Sequence, residues 1–85
     1  METEMQSVRK ALKHVRESRG IKSAWVAQQI NVSESTYSAL ESGRRTLSVD
    51  RLGSLLRVYK LSWGEFGRVI DALARGGARD ALSRL

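Results

Sequence analysis

Apolar residues recur along this chain at helical spacing rather than in the alternation of strands, and no proline interrupts them. Val8, Ala11, Leu12 and Val15 stand at i, i+3, i+4 and i+7, which predicts one face of a first helix. Arg9, Lys10, Lys13, Arg16 and Arg19 occupy the rest of it, and Gly20 is the expected stop, because glycine accepts the left-handed backbone that ends a helix. A short second helix follows with Val26, Ala27 and Ile30 inward. Its start has two candidates. With Lys22 as N-cap, Ile21 and Val26 fall where a hydrophobic staple pairs; Ser23 is the chemically better cap and shifts that pairing by one residue. Asn31 breaks the pattern, and asparagine is second only to glycine in tolerating positive φ.

Ser33 reads as the N-cap of a third helix, with Glu34 in the first turn where the helix dipole favours an acid. Tyr37 and Leu40 face inward, Gly43 terminates, and Arg44 and Arg45 lie in the loop beyond. Ser48 caps a fourth helix with Asp50 in its first turn and Leu52, Leu55, Leu56 and Tyr59 as its stripe. Gly53 within it costs about 1 kcal/mol against alanine, tolerable where two helices pack closely. A fifth helix starts near Ser62 or Trp63 and carries Phe66, Val69, Ile70 and Leu73 at i, i+3, i+4 and i+7. Gly76 and Gly77 interrupt it, and residues 78–85 form a last helical turn or fray. The expected fold is all-α: a compact five-helix domain over residues 1–75 and a C-terminal tail over 76–85, with no internal repeat and no linker.

Length and composition narrow the classes. At 85 residues the chain has room for one domain, and 41% apolar residues suit a folded globule. Without cysteine there is no disulfide scaffold or thiolate zinc site. No run of about 18 apolar residues offers a membrane span, and the polar, acidic first eight residues are unlike a signal peptide, so a cytoplasmic protein is expected. An enzyme is not expected: there is one histidine, the acids are scattered singly, and no glycine-rich phosphate loop occurs. His14 has no second histidine or cysteine beside it, so no metal or other cofactor is expected. The formal charge of +6 and a pI near 10.5 invite an anionic partner, most often nucleic acid.

The informative stretch runs from Gly20 to Arg45. Two helices separated by about three residues cannot lie antiparallel, so they cross steeply, as in a helix-turn-helix whose second helix can enter a major groove. The run IKSAWVAQQINVSESTYSALESGRR resembles the helix-turn-helix of the Xre/Cro-type, phage-repressor-like DNA-binding family, and the resemblance continues into SVDRLGSLLRVYKLSWGEF. The strongest local matches are Val26-Ala27, the turn around Asn31-Val32-Ser33, and Leu40-Glu41-Ser42-Gly43-Arg44. The resemblance implies a lambda-repressor-like fold and base reading by Ser33, Glu34, Ser35 and Ala39, with Ser38 beside them. Where family members commonly carry a glutamine that contacts phosphate and buttresses a base-reading side chain, this chain has the shorter Ser23, and their turn glycine is Asn31.

None of those base-reading positions is Arg, Lys, Gln or Asn, the side chains best suited to bidentate base contacts, so direct readout is expected to be modest. Ala39 would meet a thymine methyl and Ser35 a base edge; Glu34 is either a cytosine acceptor or only a helix-dipole residue. Lys22, Ser23, Ser42, Arg44 and Arg45 are the expected phosphate contacts, and most of the first helix's cations a solvated surface. Trp25 is either partly exposed for a contact or packed over the end of the first helix. The charge divides along the chain: residues 9–22 carry net +5, residues 44–60 net +4, and residues 23–43 between them net −2. Phosphate clamps thus flank a reading head that holds no cation.

The expected function is a sequence-specific DNA-binding transcriptional regulator. It would act as a homodimer on double-stranded DNA, repressing from a palindromic operator. Trp63, Phe66, Val69, Ile70 and Leu73 on the fifth helix are its candidate dimer interface, unless that stripe folds back onto its own domain. The second reading is an antitoxin whose main task is a protein partner, with DNA binding as autoregulation. A toxin, or a polymerase for an activating regulator, would be that partner.

Overall fold

The computed structural model describes residues 3–76, and these form five helices: α1 (Glu4–Ser18), α2 (Ser23–Gln29), α3 (Glu34–Ser42), α4 (Val49–Tyr59) and α5 (Trp63–Ala74). Each start has an identifiable cause. Thr3 and Gln6 form a capping box, with the Thr3 N–H donating to Gln6 Oε1 at 2.7 Å and the Gln6 N–H to Thr3 Oγ1 at 3.1 Å, so α1 begins a turn ahead of its first stripe residue. Ser33, Ser48 and Ser62 cap α3, α4 and α5, each accepting the N–H three residues on, and Glu65 completes a second capping box on α5. For α2 the cap is Lys22, whose side chain makes no capping hydrogen bond. Ile21 and Val26 are thereby left in the staple positions, Val26 fully buried and Ile21 packed against the core.

The chain reverses through left-handed residues. Asn31 at φ 59° lets the N–H of Val32 reach the Ala27 carbonyl at 3.0 Å and its own N–H reach Gln28 at 3.3 Å, a Schellman closure of α2. Gly43 at φ 94° does the same work after α3. There the N–H groups of Gly43, Arg44 and Arg45 all converge on the Ala39 carbonyl, at 3.1, 2.9 and 3.1 Å. Lys60 ends α4 in the left-handed region at φ 56°, where a lysine is conformationally disfavoured.

One core joins all five helices. It runs from Ala11, Leu12 and Val15 of α1 through Val26 and Ala27 of α2 and Tyr37 and Leu40 of α3 to the stripes of α4 and α5. Phe66 and Val69 belong to this core, 2% and 0% exposed, because α5 lies along α1. They are therefore closed to a second copy of the chain, and the α5 stripe serves its own domain. Ile70 and Leu73 are partly buried against the same cluster, and only Trp63 of that expected interface is open, at 55% exposure. Of the expected tail, residues 77–85 lie outside the described residues.

Candidate nucleic-acid interface

The two helices α2 and α3 and the turn between them make the helix-turn-helix. Its outer surface at the start of α3 is a chain of short polar side chains. Ser33 Oγ accepts from the Thr36 N–H at 3.1 Å, and it lies 2.8 Å from Thr36 Oγ1 and 3.1 Å from Ser35 Oγ. Ser23, at the start of α2, donates from Oγ to Glu34 Oε1 at 3.2 Å. That contact ties the two helices together at the surface and fixes one carboxylate oxygen, leaving Oε2 as an open acceptor. Ser33, Glu34 and Ser35 are exposed, and Ser38 is half-buried.

Ala39 differs from its expected position. At 8% exposure it is a buried residue and has no methyl to offer a groove. Its carbonyl is also taken up by the chain, since the N–H groups of Gly43, Arg44 and Arg45 all bond to it.

Beneath the surface, α3 is held by a polar network that crosses three helices. Arg16 on α1 grips Glu41 on α3 with two hydrogen bonds, Nε to Oε2 at 3.0 Å and Nη2 to Oε1 at 2.9 Å. Its remaining nitrogen Nη1 donates to the Ile21 carbonyl at 3.1 Å. The Tyr37 hydroxyl donates to Glu41 Oε2 at 2.5 Å and lies 3.0 Å from the Tyr59 hydroxyl on α4. Both side chains of the ion pair are largely covered, 15% exposed for Arg16 and 10% for Glu41. Such a pair is costly to break from one side, because the remaining charge stays desolvated. The bond to Glu41 pushes the Arg16 pKa further up, against the opposing effect of its burial. Burial is the main cause that raises the phenol pKa values of Tyr37 and Tyr59 above the ordinary value; for Tyr37 the bond to Glu41 adds to it.

Three more arginines close helix ends. Arg9 donates through Nη1 to the Leu40 carbonyl and through Nη2 to the Arg45 carbonyl at 3.1 Å, pinning the end of α3 and the loop after it. Arg19 donates to the Tyr59 carbonyl at the end of α4, and Arg51 to the Ile30 carbonyl at the end of α2, at 3.1 Å. The expectation of a mainly solvated basic face on α1 therefore fails for Arg9 and Arg19, whose planar forks satisfy carbonyls near helix ends, and for Arg16, which is taken up by Glu41 and the Ile21 carbonyl. A signal for two of them was present in the sequence. Arg9 and Arg16 each follow a stripe residue, Val8 and Val15, at heptad spacing.

The expected phosphate contacts divide. Lys22 and Arg45 are exposed, and neither side chain makes a hydrogen bond or ion pair among the described residues. Arg44 Nε donates to Ser42 Oγ at 3.1 Å, and Ser42 Oγ lies 3.4 Å from the Ala39 carbonyl. Trp25 stands 47% exposed on α2. His14 buries Nε2 without a hydrogen-bond partner, and no group of three or more His, Cys, Asp or Glu side chains fit to hold a metal occurs among the described residues.

A family model for the helix-turn-helix domain matches residues 9–82. The chain belongs to the helix-turn-helix family. Comparison with curated proteins and with solved structures yields no match. Membership makes DNA binding the function class this helix-turn-helix domain supports. No helix among the described residues is long and apolar enough to cross a membrane.

Proposed function

We propose that this domain is a sequence-specific, non-enzymatic transcriptional regulator of the Xre/Cro type, acting in the cytoplasm as a homodimer that represses from a palindromic operator. The DNA-binding unit is residues 1–75. The observation that carries the reading is the two-sidedness of α3. Its inner side is fixed by Tyr37, Leu40 and Glu41, while Ser33, Glu34 and Ser35 stand exposed at its first turn. Cations flank that turn and are absent from it.

Ser33, Glu34, Ser35 and Ser38 face base edges in this reading. Ser23 orients Glu34, so that Oε2 accepts from a cytosine or adenine amino group. Lys22, Arg44 and Arg45 hold phosphates, with Ser23 and Ser42 positioned beside them. With short hydroxyls as readers, groove shape supplies a large share of the specificity.

Selection from random duplex DNA tests this directly. It should recover a palindrome whose half-sites lie about one helical turn apart. Failure to enrich any motif at low salt removes the regulator reading.

A further inference from the structure

We infer that the face built by the first turns of α4 and α5 is where a second copy of this chain docks. The inference rests on the homodimer reading above and gives that dimer its surface. With Phe66 and Val69 closed inside the domain, two of the exposed large apolar side chains lie together here: Val49 is 74% exposed and Trp63 55%, while Trp25 stands apart on α2.

They flank Gly53. A Cβ at that glycine would stand 3.5 Å from Trp63 Cζ2, so the indole lies directly across the backbone of α4. Beside it opens a cleft of about 530 Å³, with Val49, Gly53, Leu56 and Trp63 among its walls. The exposed ring, seated over Gly53 at the edge of this cleft, is a bump beside a hollow, the shape that can pack against its own image.

The charges on the same wall select the occupant. Asp50 and Arg57 both line the cleft, seven residues apart on one face of α4, a separation of about 10 Å along its axis. Both side chains are exposed, and neither makes an ion pair among the described residues. Opposite signs at the two ends of one helix face are self-complementary. A two-fold axis through the cleft sets the α4 helices antiparallel, with Asp50 of each copy against Arg57 of the other. A partner of single sign would match one end and be repelled at the other.

The position also suits a DNA dyad. Val49 follows Arg45 by four residues, so this face lies next to the loop that carries Arg44 and Arg45. A dyad here brings the two basic loops toward the centre of the operator. The apolar patch is small, so a weak dimer is expected, with DNA supplying the remaining association energy.

Sedimentation of the full chain over a concentration series tests the inference, with circular dichroism confirming that every variant is folded. Wild type should show a monomer–dimer equilibrium. Trp63→Glu should raise the dimer dissociation constant by about tenfold or more, and Asp50→Arg and Arg57→Asp should each raise it by a comparable factor. The double variant D50R/R57D should return to within about threefold of wild type, because both cross-pairs are restored with reversed signs. Wild-type dimers that persist unchanged in Trp63→Glu and in both single charge variants would overturn this surface and leave the homodimer standing. A wild type that stays monomeric throughout, both alone and with the duplex recovered by selection, would overturn the homodimer and the surface together.

Discussion

Two sets of basic side chains surround the reading helix, and they do different things. Arg9, Arg16, Arg19 and Arg51 each end on a carbonyl or carboxylate of the chain itself. Lys22 and Arg45 end in solvent, and Arg44 reaches no further than the neighbouring Ser42. A formal charge of +6 therefore overstates what is available to a polyanion. The first set stabilises the fold and positions α3; the second, in the reading proposed above, holds phosphates. Arginine suits the first role because its planar fork serves two or three acceptors at once, as Arg16 does with Glu41 and Ile21.

Substitutions should separate the two sets. Removing one partner of the inner pair, by Arg16→Ala or Glu41→Ala, should lower the unfolding free energy by about 3–5 kcal/mol in urea titrations. The double variant R16M/E41L should lose less than either single one, since no unpaired charge is then buried. In contrast, the Arg44→Ala, Arg45→Ala pair should leave stability within about 0.5 kcal/mol of wild type. The same pair should weaken DNA binding uniformly across sequences and make the logarithmic salt slope shallower by about 2 per subunit, about 4 for a dimer on its operator. An unchanged slope would move Arg44 and Arg45 out of the phosphate-binding set.

The buried phenols give a pH test of the same core. Tyr37 and Tyr59 have folded-state pKa values raised above the ordinary 10.0, chiefly by burial. Their contribution is complete below pH 10 and declines as pH rises through the higher folded values, by at most about 1.4 kcal/mol per pH unit for each group. Urea midpoints should therefore fall with pH above 10, and Tyr37→Phe should flatten that fall. The smallest effect belongs to a cation in neither set. Lys60 holds a left-handed conformation at φ 56° without a side-chain partner, and Lys60→Gly should raise stability by about 0.5–1 kcal/mol in the same titrations.

Much of this architecture is legible in the chain because its signals are local. Ser33, Ser48 and Ser62 cap the helices they precede, and Asn31 takes the positive φ that its tolerance suggests. What was not legible depends on partners far along the sequence. Arg16 meets Glu41 across 25 residues and Arg19 meets Tyr59 across 40, and no periodicity reports such pairings. The burial of Ala39 is likewise set by packing in the folded domain and not by its place in the α3 sequence. The α5 stripe has one pattern whether it packs at home or on a neighbour, and only the contact of α5 with α1 decides between them for Phe66 and Val69.

The arrangement of α3 makes its preference easy to rewrite. Apart from the surface contact of Glu34 with Ser23, the anchors of the helix point inward, and of the exposed Ser33, Glu34 and Ser35 only Ser33 serves as its cap. Ser35 can be exchanged for a longer side chain without disturbing a core contact or the Arg16–Glu41 grip, at the cost only of its hydroxyl contact with the Ser33 cap. Few rotamers are frozen in so short a set of hydroxyls, so a new reader there would act on a nearly blank surface. If α3 reads DNA as proposed, one scaffold can serve many operators by changing single positions, with its folding left as it is.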